Sequence, residues 1–212
     1  MLFRSGEAFY IPVPADAEKT KQILDILKPV FENAEIKKTG QNIKFDYQIL
    51  LKYNIVVKGL YFDTMVAHYL LQPELKHNLD FLAEIYLNYK KVTTESLIGE
   101  KGKNQGNMRQ VSLEKIKDYA CEDADITFRL YQKLKKEFNT DKLQFLLNDI
   151  EMPLVEVLAG MENAGVKIDK KALDAYAEDL RTEILKMESE IFQMAGMEFN
   201  IASPKQDRKS VV

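Results

Sequence analysis

A tyrosine and an aspartate stand four residues apart, at Tyr119 and Asp123, in a stretch with helical periodicity. The stretch runs from Ser112 to Phe138 without Gly or Pro, and Ser112 is a residue type that often caps a helix. Residues four apart lie on the same helix face, one turn from each other. Because Asp123 falls on the apolar face, we expect it to be paired with a cation, hydrogen-bonded, or bound to a metal ion.

The two faces of this predicted helix differ in character. One face is expected to be solvated, with an i,i+4 ion pair between Asp125 and Arg129. The opposite stripe steps by threes and fours, as a buried helix face does. Its members are Leu113, Ile116, Ala120, Asp123, Thr127, Leu130 and Leu134. A phenol beside a carboxylate on such a face indicates a functional site, and an aspartate satisfied by backbone groups or arginine is the alternative.

A second inward-facing carboxylate is predicted at Asp46, at the end of the stretch Thr39-Gly-Gln-Asn-Ile-Lys-Phe-Asp46. It falls on an apolar helix face between Ile43 and the Ile49-Leu50 pair. Mg²⁺ takes oxygen ligands and needs only a few from protein. Two carboxylates on separate elements could therefore contribute to a site for a divalent cation.

Together these segments resemble the 3′–5′ exonuclease (proofreading) domain of bacterial DNA polymerase I, one of the ribonuclease H-like DEDD exonucleases with tyrosine in the last motif. The second motif, Gly-Gln-Asn-x-Lys-aromatic-Asp, stands at 40–46, and the third, Tyr-x-x-x-Asp, stands at 119–123. The similarity covers roughly residues 5 to 206. The implied fold is α/β: a helix-rich ribonuclease H-like exonuclease fold that lacks its first strand and is followed by a long helical arm.

The resemblance also implies a role for each site residue. Asp123 would hold the metal ion that activates the attacking water, and Tyr119 would orient that water. Asp46 would help to hold a second ion near the leaving 3′ oxygen. The implied cofactor is Mg²⁺ in a two-metal site, with Mn²⁺ as a substitute. Gln41 and Asn42 match positions beside the single-stranded 3′ end of DNA, which is the implied partner.

The family's first motif, Asp-x-Glu at the end of the first strand, should precede the strand predicted at residues 8–13. The chain is therefore expected to be a truncated piece of a longer polymerase, with an incomplete metal site and no activity of its own. Asp16-Ala-Glu18 fits the pattern, but it follows Pro14 and opens a helix, which indicates capping. Residues 207–212 break from the family pattern and are predicted to be a non-native tail.

The sequence pattern divides the chain into two parts. Residues 1–150 alternate short strands with helices, which is typical of α/β architecture. Residues 151–206 are predicted to be helical and resemble the beginning of the polymerase domain, at the base of its thumb. A long amphipathic arm follows Asp169 and ends at Gly196. We expect the rest of the polymerase chain to be its missing partner, and self-association through the exposed stripe is an alternative.

A polar, glycine-rich loop from Gly99 to Gln110 precedes the site helix. Lys101, Lys103 and Arg109 make this loop basic, and they are candidates for contacts with DNA phosphates. A solvated loop without a ligand is the alternative interpretation.

The composition is that of a globular protein. Hydrophobic residues make up 46% of the chain, and no apolar run approaches the length of a membrane span. The single cysteine, Cys121, excludes an internal disulfide and fits a reducing cytosol, so a cytoplasmic location is expected. The net charge of −3 gives no overall attraction to nucleic acid. Neither His68 nor His77 has a partner at zinc-ligand spacing.

Three functions are compatible with these patterns. The preferred one is the proofreading domain of a DNA polymerase. An RNA-trimming exonuclease of the same superfamily is disfavoured by the polymerase-like segment at 151–206. A nuclease-like scaffold without catalysis is disfavoured by the presence of Asp46, Tyr119 and Asp123 together, because a scaffold gains nothing from inward carboxylates. If the site is real, the carboxylates of Asp46 and Asp123 should lie within roughly 5–8 Å of each other.

Overall fold

The first part of the chain contains a parallel strand pair, connected through a helix, that packs against further helices. The computed structural model describes residues 2–4 and 7–203, so the predicted tail at 207–212 lies outside the described residues. The strands are β1 Leu2–Arg4, β2 Glu7–Phe9, β3 Lys38–Gly40 and β4 Leu60–Asp63. The helices are α1 Ala17–Phe31, α2 Ile43–Leu51, α3 Thr64–Leu71, α4 Leu79–Leu87, α5 Thr94–Ile98, α6 Leu113–Glu137, α7 Asp141–Phe145, α8 Met152–Ala164 and α9 Lys170–Ala195.

The strands β3 and β4 pair in parallel, with Thr39 opposite Phe62 and Gly40 opposite Asp63. A parallel pair needs a crossover connection, and α2 with its flanking loops provides it. The strands β1 and β2 form a separate antiparallel pair. These short strands among long helices confirm the predicted helix-rich α/β fold.

The Asp63 side chain forms hydrogen bonds with the N-termini of both α2 and α3. It is buried, and its carboxylate caps α3 by accepting hydrogen bonds from the backbone N–H groups of Met65 (2.8 Å) and Val66 (3.3 Å). The same carboxylate accepts from Ile43 (2.7 Å) and Asn42 (3.1 Å) at the beginning of α2. One side chain therefore satisfies orphan donors at two helix N-termini. It also fixes the position of α2, which carries Asp46.

Helix α6 provides the main core face, through Ile126, Leu130 and Leu134, which have no exposed surface. It packs against α3, α4 and β3. The predicted stripe is right for Ala120, Leu130 and Leu134 but wrong for Leu113, which is 61% exposed. The core line passes through Ile126 rather than Thr127, because residues 126, 130 and 134 follow each other at i,i+4 spacing.

Residues 141–164 form a helical run of three consecutive segments. A π-helical segment, Leu146–Glu151, separates α7 from α8. Pro153 explains the change, because it lacks an N–H, and its ring would clash with the carbonyl of Asp149 in a regular α-helix. Helix α8 packs against α2 and β4. The first compact unit therefore extends through Ala164, while the polymerase assignment of 151–206 stays a prediction.

The second unit, Gly165–Val212, contains α9. Asp169 caps this helix by accepting from the N–H of Ala172 at 3.1 Å, as predicted, and Gly196 ends it with φ +69°. No residue of α9 is buried. Tyr176 is 62% exposed and Met194 is 81% exposed, so the apolar stripe is open to solvent. Within the described residues, no helix is both long and apolar enough to span a membrane.

Candidate active site

Tyr119 and Asp123 lie together on α6, and the cation expected for Asp123 is present. Lys91 Nζ lies 3.0 Å from Asp123 Oδ1 and 4.7 Å from the centroid of the Tyr119 ring. The same ammonium lies 3.0 Å from Asp80 Oδ1. Lys91 thus contacts two carboxylates and one aromatic face, all from helices that pack against each other.

The Lys91 side chain is only 3% exposed, so its ammonium has lost most of its water. It donates a further hydrogen bond to the carbonyl of Val92 at 2.9 Å. Burial alone would lower the pKa of Lys91, but the ion pairs with Asp80 and Asp123 outweigh it and raise the pKa above its ordinary value. Lys91 is therefore positively charged inside the site at neutral pH.

Residues 89–94 hold Lys91 over the site face of α6. Glu122 accepts hydrogen bonds from the Tyr89 hydroxyl (2.6 Å) and the Val92 N–H (2.9 Å). The Thr94 and Tyr119 hydroxyl oxygens lie 3.1 Å apart. The Tyr119 phenol is consequently fixed at its polar end by Thr94 and at its ring face by Lys91. Glu122, on the face predicted to be solvated, instead anchors this segment.

The contacts of the Asp123 carboxylate compensate only in part for its burial. Burial raises the pKa of its carboxyl, and Lys91 and the Tyr119 hydroxyl lower it only in part. The buried Oδ1 atom has Lys91 at ion-pair distance, but the angles are unsuitable for a hydrogen bond. The carboxylate therefore retains binding capacity for another positive group.

Asp46 lies in the first turn of α2. The residue is exposed, so the inward orientation predicted for it is wrong. The protein around the carboxyl nevertheless removes enough water to raise its pKa to about 6, and nearby Asp63 contributes to the rise. Asp63 is not a second free carboxylate, because four backbone N–H groups occupy it. Helix α6 packs on β3, the strand that leads into α2.

The two predicted DNA contacts before α2 differ in their availability. The Gln41 amide is engaged within the protein: its Nε2 donates to the His77 carbonyl at 2.7 Å, and its Oε1 accepts from the Thr64 hydroxyl. Asn42 is exposed and adopts the left-handed conformation, with φ +56°. Of the two side chains, only Asn42 is presented to solvent.

The basic loop before α6 is open to solvent at all three predicted cations. Lys101, Lys103 and Arg109 are exposed, and none forms an ion pair with another residue that the structure describes. A short 3₁₀ turn, Met108–Gln110, ends the loop and is capped by Asn107, which accepts from the Arg109 N–H at 2.9 Å.

The described residues do not fit a complete metal site. Asp46 and Asp123 offer the oxygen donors that Mg²⁺ prefers, but no three His, Cys, Asp or Glu side chains in ranges 2–4 and 7–203 cluster around a possible ion position. Asp16 does not supply a further ligand, because its Oδ1 accepts from the Lys19 N–H at 2.9 Å and caps α1. The capping interpretation of Asp16-Ala-Glu18 is thus confirmed.

Sequence reasoning missed Lys91, Asp80 and Thr94. The available signal was Asp123 on the apolar face of α6, because a buried carboxylate needs a cation or hydrogen-bond donors nearby. The identity of that cation depends on the path of residues 89–94, and neither helical nor strand periodicity predicts the path of an irregular segment.

Comparisons with known proteins agree with this fold. A family model described as 3′–5′ exonuclease matches residues 1–139. DNA polymerase I of Borreliella burgdorferi is 40% identical over 207 residues, and that of Pseudomonas aeruginosa is 36% identical over 214. Each alignment covers 96% of this chain, but the chain spans only 22–23% of those relatives.

A solved structure described as the POL domain of Pol1 from M. smegmatis, in complex with DNA primer-template and dNTP, has a similar fold. The TM-score is 0.70 at 21% identity, over 90% of this chain and 30% of that one. The family model and the relatives confirm the predicted resemblance, and the chain belongs to the 3′–5′ exonuclease family of the DNA polymerase A type.

Proposed function

We propose that this chain is part of a DNA polymerase I and contributes a site that removes nucleotides from the single-stranded 3′ end of DNA in the cytoplasm. The observation that carries the proposal is the placement of Tyr119 and Asp123 on one face of α6, next to a buried ammonium. A carboxylate and a phenol with restricted motion are what a hydrolytic site requires, since pre-positioned groups need no reorganisation during the reaction.

Asp46 and Asp123 are the proposed ligands for Mg²⁺ or Mn²⁺ in the complete enzyme. Their raised pKa values support this role, because desolvated carboxylates gain most from a nearby cation. Since the described residues form no complete metal site, the chain alone is expected to be inactive. Tyr119 is proposed to position the attacking water through its hydroxyl, which Thr94 holds at 3.1 Å.

DNA contacts are proposed for Asn42 and for the loop cations Lys101, Lys103 and Arg109, which are exposed and free to reach phosphates. Gln41 is proposed to act indirectly: by bonding to His77 and Thr64 it holds the backbone of residues 40–42 in place.

The test compares two proteins on a 3′-labelled single-stranded oligonucleotide. One is the 212-residue chain, and the other is the same chain preceded by a strand that carries the family's first motif, Asp-x-Glu. The extended protein should cleave at least about 10²-fold faster, because positioned metal ions lower the barrier by several kcal/mol. Asp123→Asn in the extended protein should abolish the gain. Asp118→Asn, on the exposed side of the same helix, should not.

The Lys91–Asp123 ion pair favours one second candidate, a nuclease-like domain without catalysis, since a lysine already neutralises the carboxylate. If the extended protein binds the oligonucleotide but cleaves it no faster than the 212-residue chain, this second candidate is the better one.

A further inference from the structure

Lys91 holds an unusual position for a lysine. Among residues 7–203, it is the one lysine whose side chain is buried. Buried ammonium groups are unfavourable unless they are paired. Lys91 is paired with two aspartates, and one of them is the carboxylate that the proposed function assigns to a metal ion.

We propose that Lys91 is a resident cation of the site and competes with a divalent cation for Asp123. This inference rests on the proposed function of Asp123 and adds a control of metal occupancy to it. The lysine occupies Oδ1 of the carboxylate at 3.0 Å. A metal ion bound through the same oxygen would lie close to the ammonium, and two positive charges at that distance repel each other.

The geometry also provides a place for the displaced lysine. Asp80, the second partner, has a side chain that is 43% exposed, whereas that of Asp123 is 20% exposed. Lys91 can therefore keep its contact with Asp80 and its bond to the Val92 carbonyl while it leaves Asp123. Metal entry becomes an exchange of cations at Asp123, and neither the lysine nor the aspartate is left buried and unpaired.

A structural ion pair without this role would have a different consequence. It would affect stability but leave the metal affinity of Asp123 unchanged when Lys91 is replaced. The competition model instead predicts that replacing Lys91 and replacing Asp80 change the metal affinity in opposite directions. Removing the lysine should tighten metal binding, and removing Asp80 should weaken it, because Asp123 would then be the remaining carboxylate for Lys91.

The experiment measures Mn²⁺ binding by water-proton relaxation, which detects weak sites, in the extended protein that carries the family's first motif as well as in the 212-residue chain. Lys91→Met should bind Mn²⁺ at least about tenfold more tightly than the unsubstituted chain, which corresponds to about 1.4 kcal/mol. Asp80→Asn should bind it more weakly. Lys90→Met is the matched control: the neighbouring lysine is exposed, and its removal should leave the affinity unchanged. Lys91→Arg keeps the charge and should retain weak binding.

Each variant is also made with Asp123→Asn, which should remove the differences. If Lys91→Met and the unsubstituted chain bind Mn²⁺ equally, and this binding requires Asp123, competition is excluded while the proposed function stands. If no variant shows binding that depends on Asp123, the metal role proposed for Asp123 fails, and the competition fails with it. If Lys91→Met does not fold, Asp80→Asn provides the test instead, because a substitution at the partly exposed Asp80 should leave the fold intact.

Discussion

The surroundings of Asp46 disfavour the ionised form of its carboxyl group. Burial, followed by the neighbouring Asp63, raises the pKa of its carboxyl to about 6, above the value of about 3.9 for an unfolded chain. A raised acid pKa means that folding favours the protonated form. The stabilising contribution is therefore present below about pH 4 and is lost as the pH rises through about 6.

Asp46→Asn should consequently stabilise the protein at pH 7.5. Because Asp46 is exposed, solvent screening limits the expected gain to about 1 kcal/mol. The gain should disappear at pH 3.5, where Asp46 is protonated in both states. Urea unfolding at the two pH values measures this, with Asp118→Asn as the exposed control. A loss of stability at pH 7.5 would show that Asp46 makes favourable ionic contacts instead.

His68 gives the opposite pH dependence. It has no exposed surface, and its Nδ1 lies 2.7 Å from His77 Nδ1. Burial, and then the charge of His77, lowers the pKa of His68 below 6.5. The unfolded chain therefore takes up this proton first, and stability should fall as the pH decreases from 6.5. His68→Phe should flatten the decline between pH 6.5 and 5 in urea unfolding. An unchanged slope would assign the decline to other groups.

Single residues were predictable from the sequence where their partners are close in the chain. Asp16 was identified as a helix cap from the residues that follow it, and it caps as expected. The second pair of hydrogen bonds made by Asp63, to the beginning of α2, was not predicted. Nor was the contact of Lys91 with Asp123. Such contacts depend on how segments distant in the sequence pack together, and local sequence patterns do not predict this packing.

At the scale of elements, Asp63 connects the end of β4 to the N-termini of both α2 and α3. Asp63→Ala would leave four N–H groups without their acceptor. We expect a loss of about 3 kcal/mol in the free energy of unfolding, since one helix cap contributes about 1 kcal/mol and buried unsatisfied donors add to that.

The matched control for this loss is Asp16→Ala, which removes an exposed cap of α1 alone. It should lower the free energy of unfolding by about 1 kcal/mol. Both values come from urea unfolding followed by circular dichroism. Equal losses for the two variants would mean that the bonds from Asp63 to α2 contribute nothing.

Long helices were predicted well and short strands less well. Helix α6 begins and ends within one residue of its predicted limits, because its periodicity is long and uninterrupted, although the Ser112 side chain makes no capping hydrogen bond. The strand predicted at residues 8–13 is observed at Glu7–Phe9. A strand of three residues gives too little alternation to locate its ends. The π-helical segment before Pro153 was not predicted, because helical periodicity alone does not distinguish one π-helical turn from a regular α-helix.

At the scale of the whole molecule, the order of motifs predicted more than any single motif. Tyr-x-x-x-Asp alone is common, but the ordered set indicated the family that the comparisons confirm. The predicted separation of roughly 5–8 Å between the Asp46 and Asp123 carboxylates stays a prediction, based on the spacing that two metal ions require. Measuring it in a crystal soaked with Mn²⁺ would decide whether both carboxylates bind one cluster.

Helix α9 provides the last prediction, which concerns the second unit. No residue of α9 is buried, and exposed side chains along its stripe include Leu173, Tyr176 and Ile184. Helices gain most of their stability from the burial of such a face, so a helix with an open face should fray. Amides from 173 to 194 should therefore exchange hydrogen far faster than those from 116 to 134 in a dilute solution.

Raising the protein concentration should then slow exchange in α9, if two copies pair through the exposed stripe. Tyr176→Lys on the stripe should abolish that concentration dependence. Lys171→Glu, a charge change at the exposed first turn of the same helix, serves as the control. Protection of 173–194 equal to that of 116–134 in dilute monomer would show that α9 is already covered, and self-association through the stripe would be excluded.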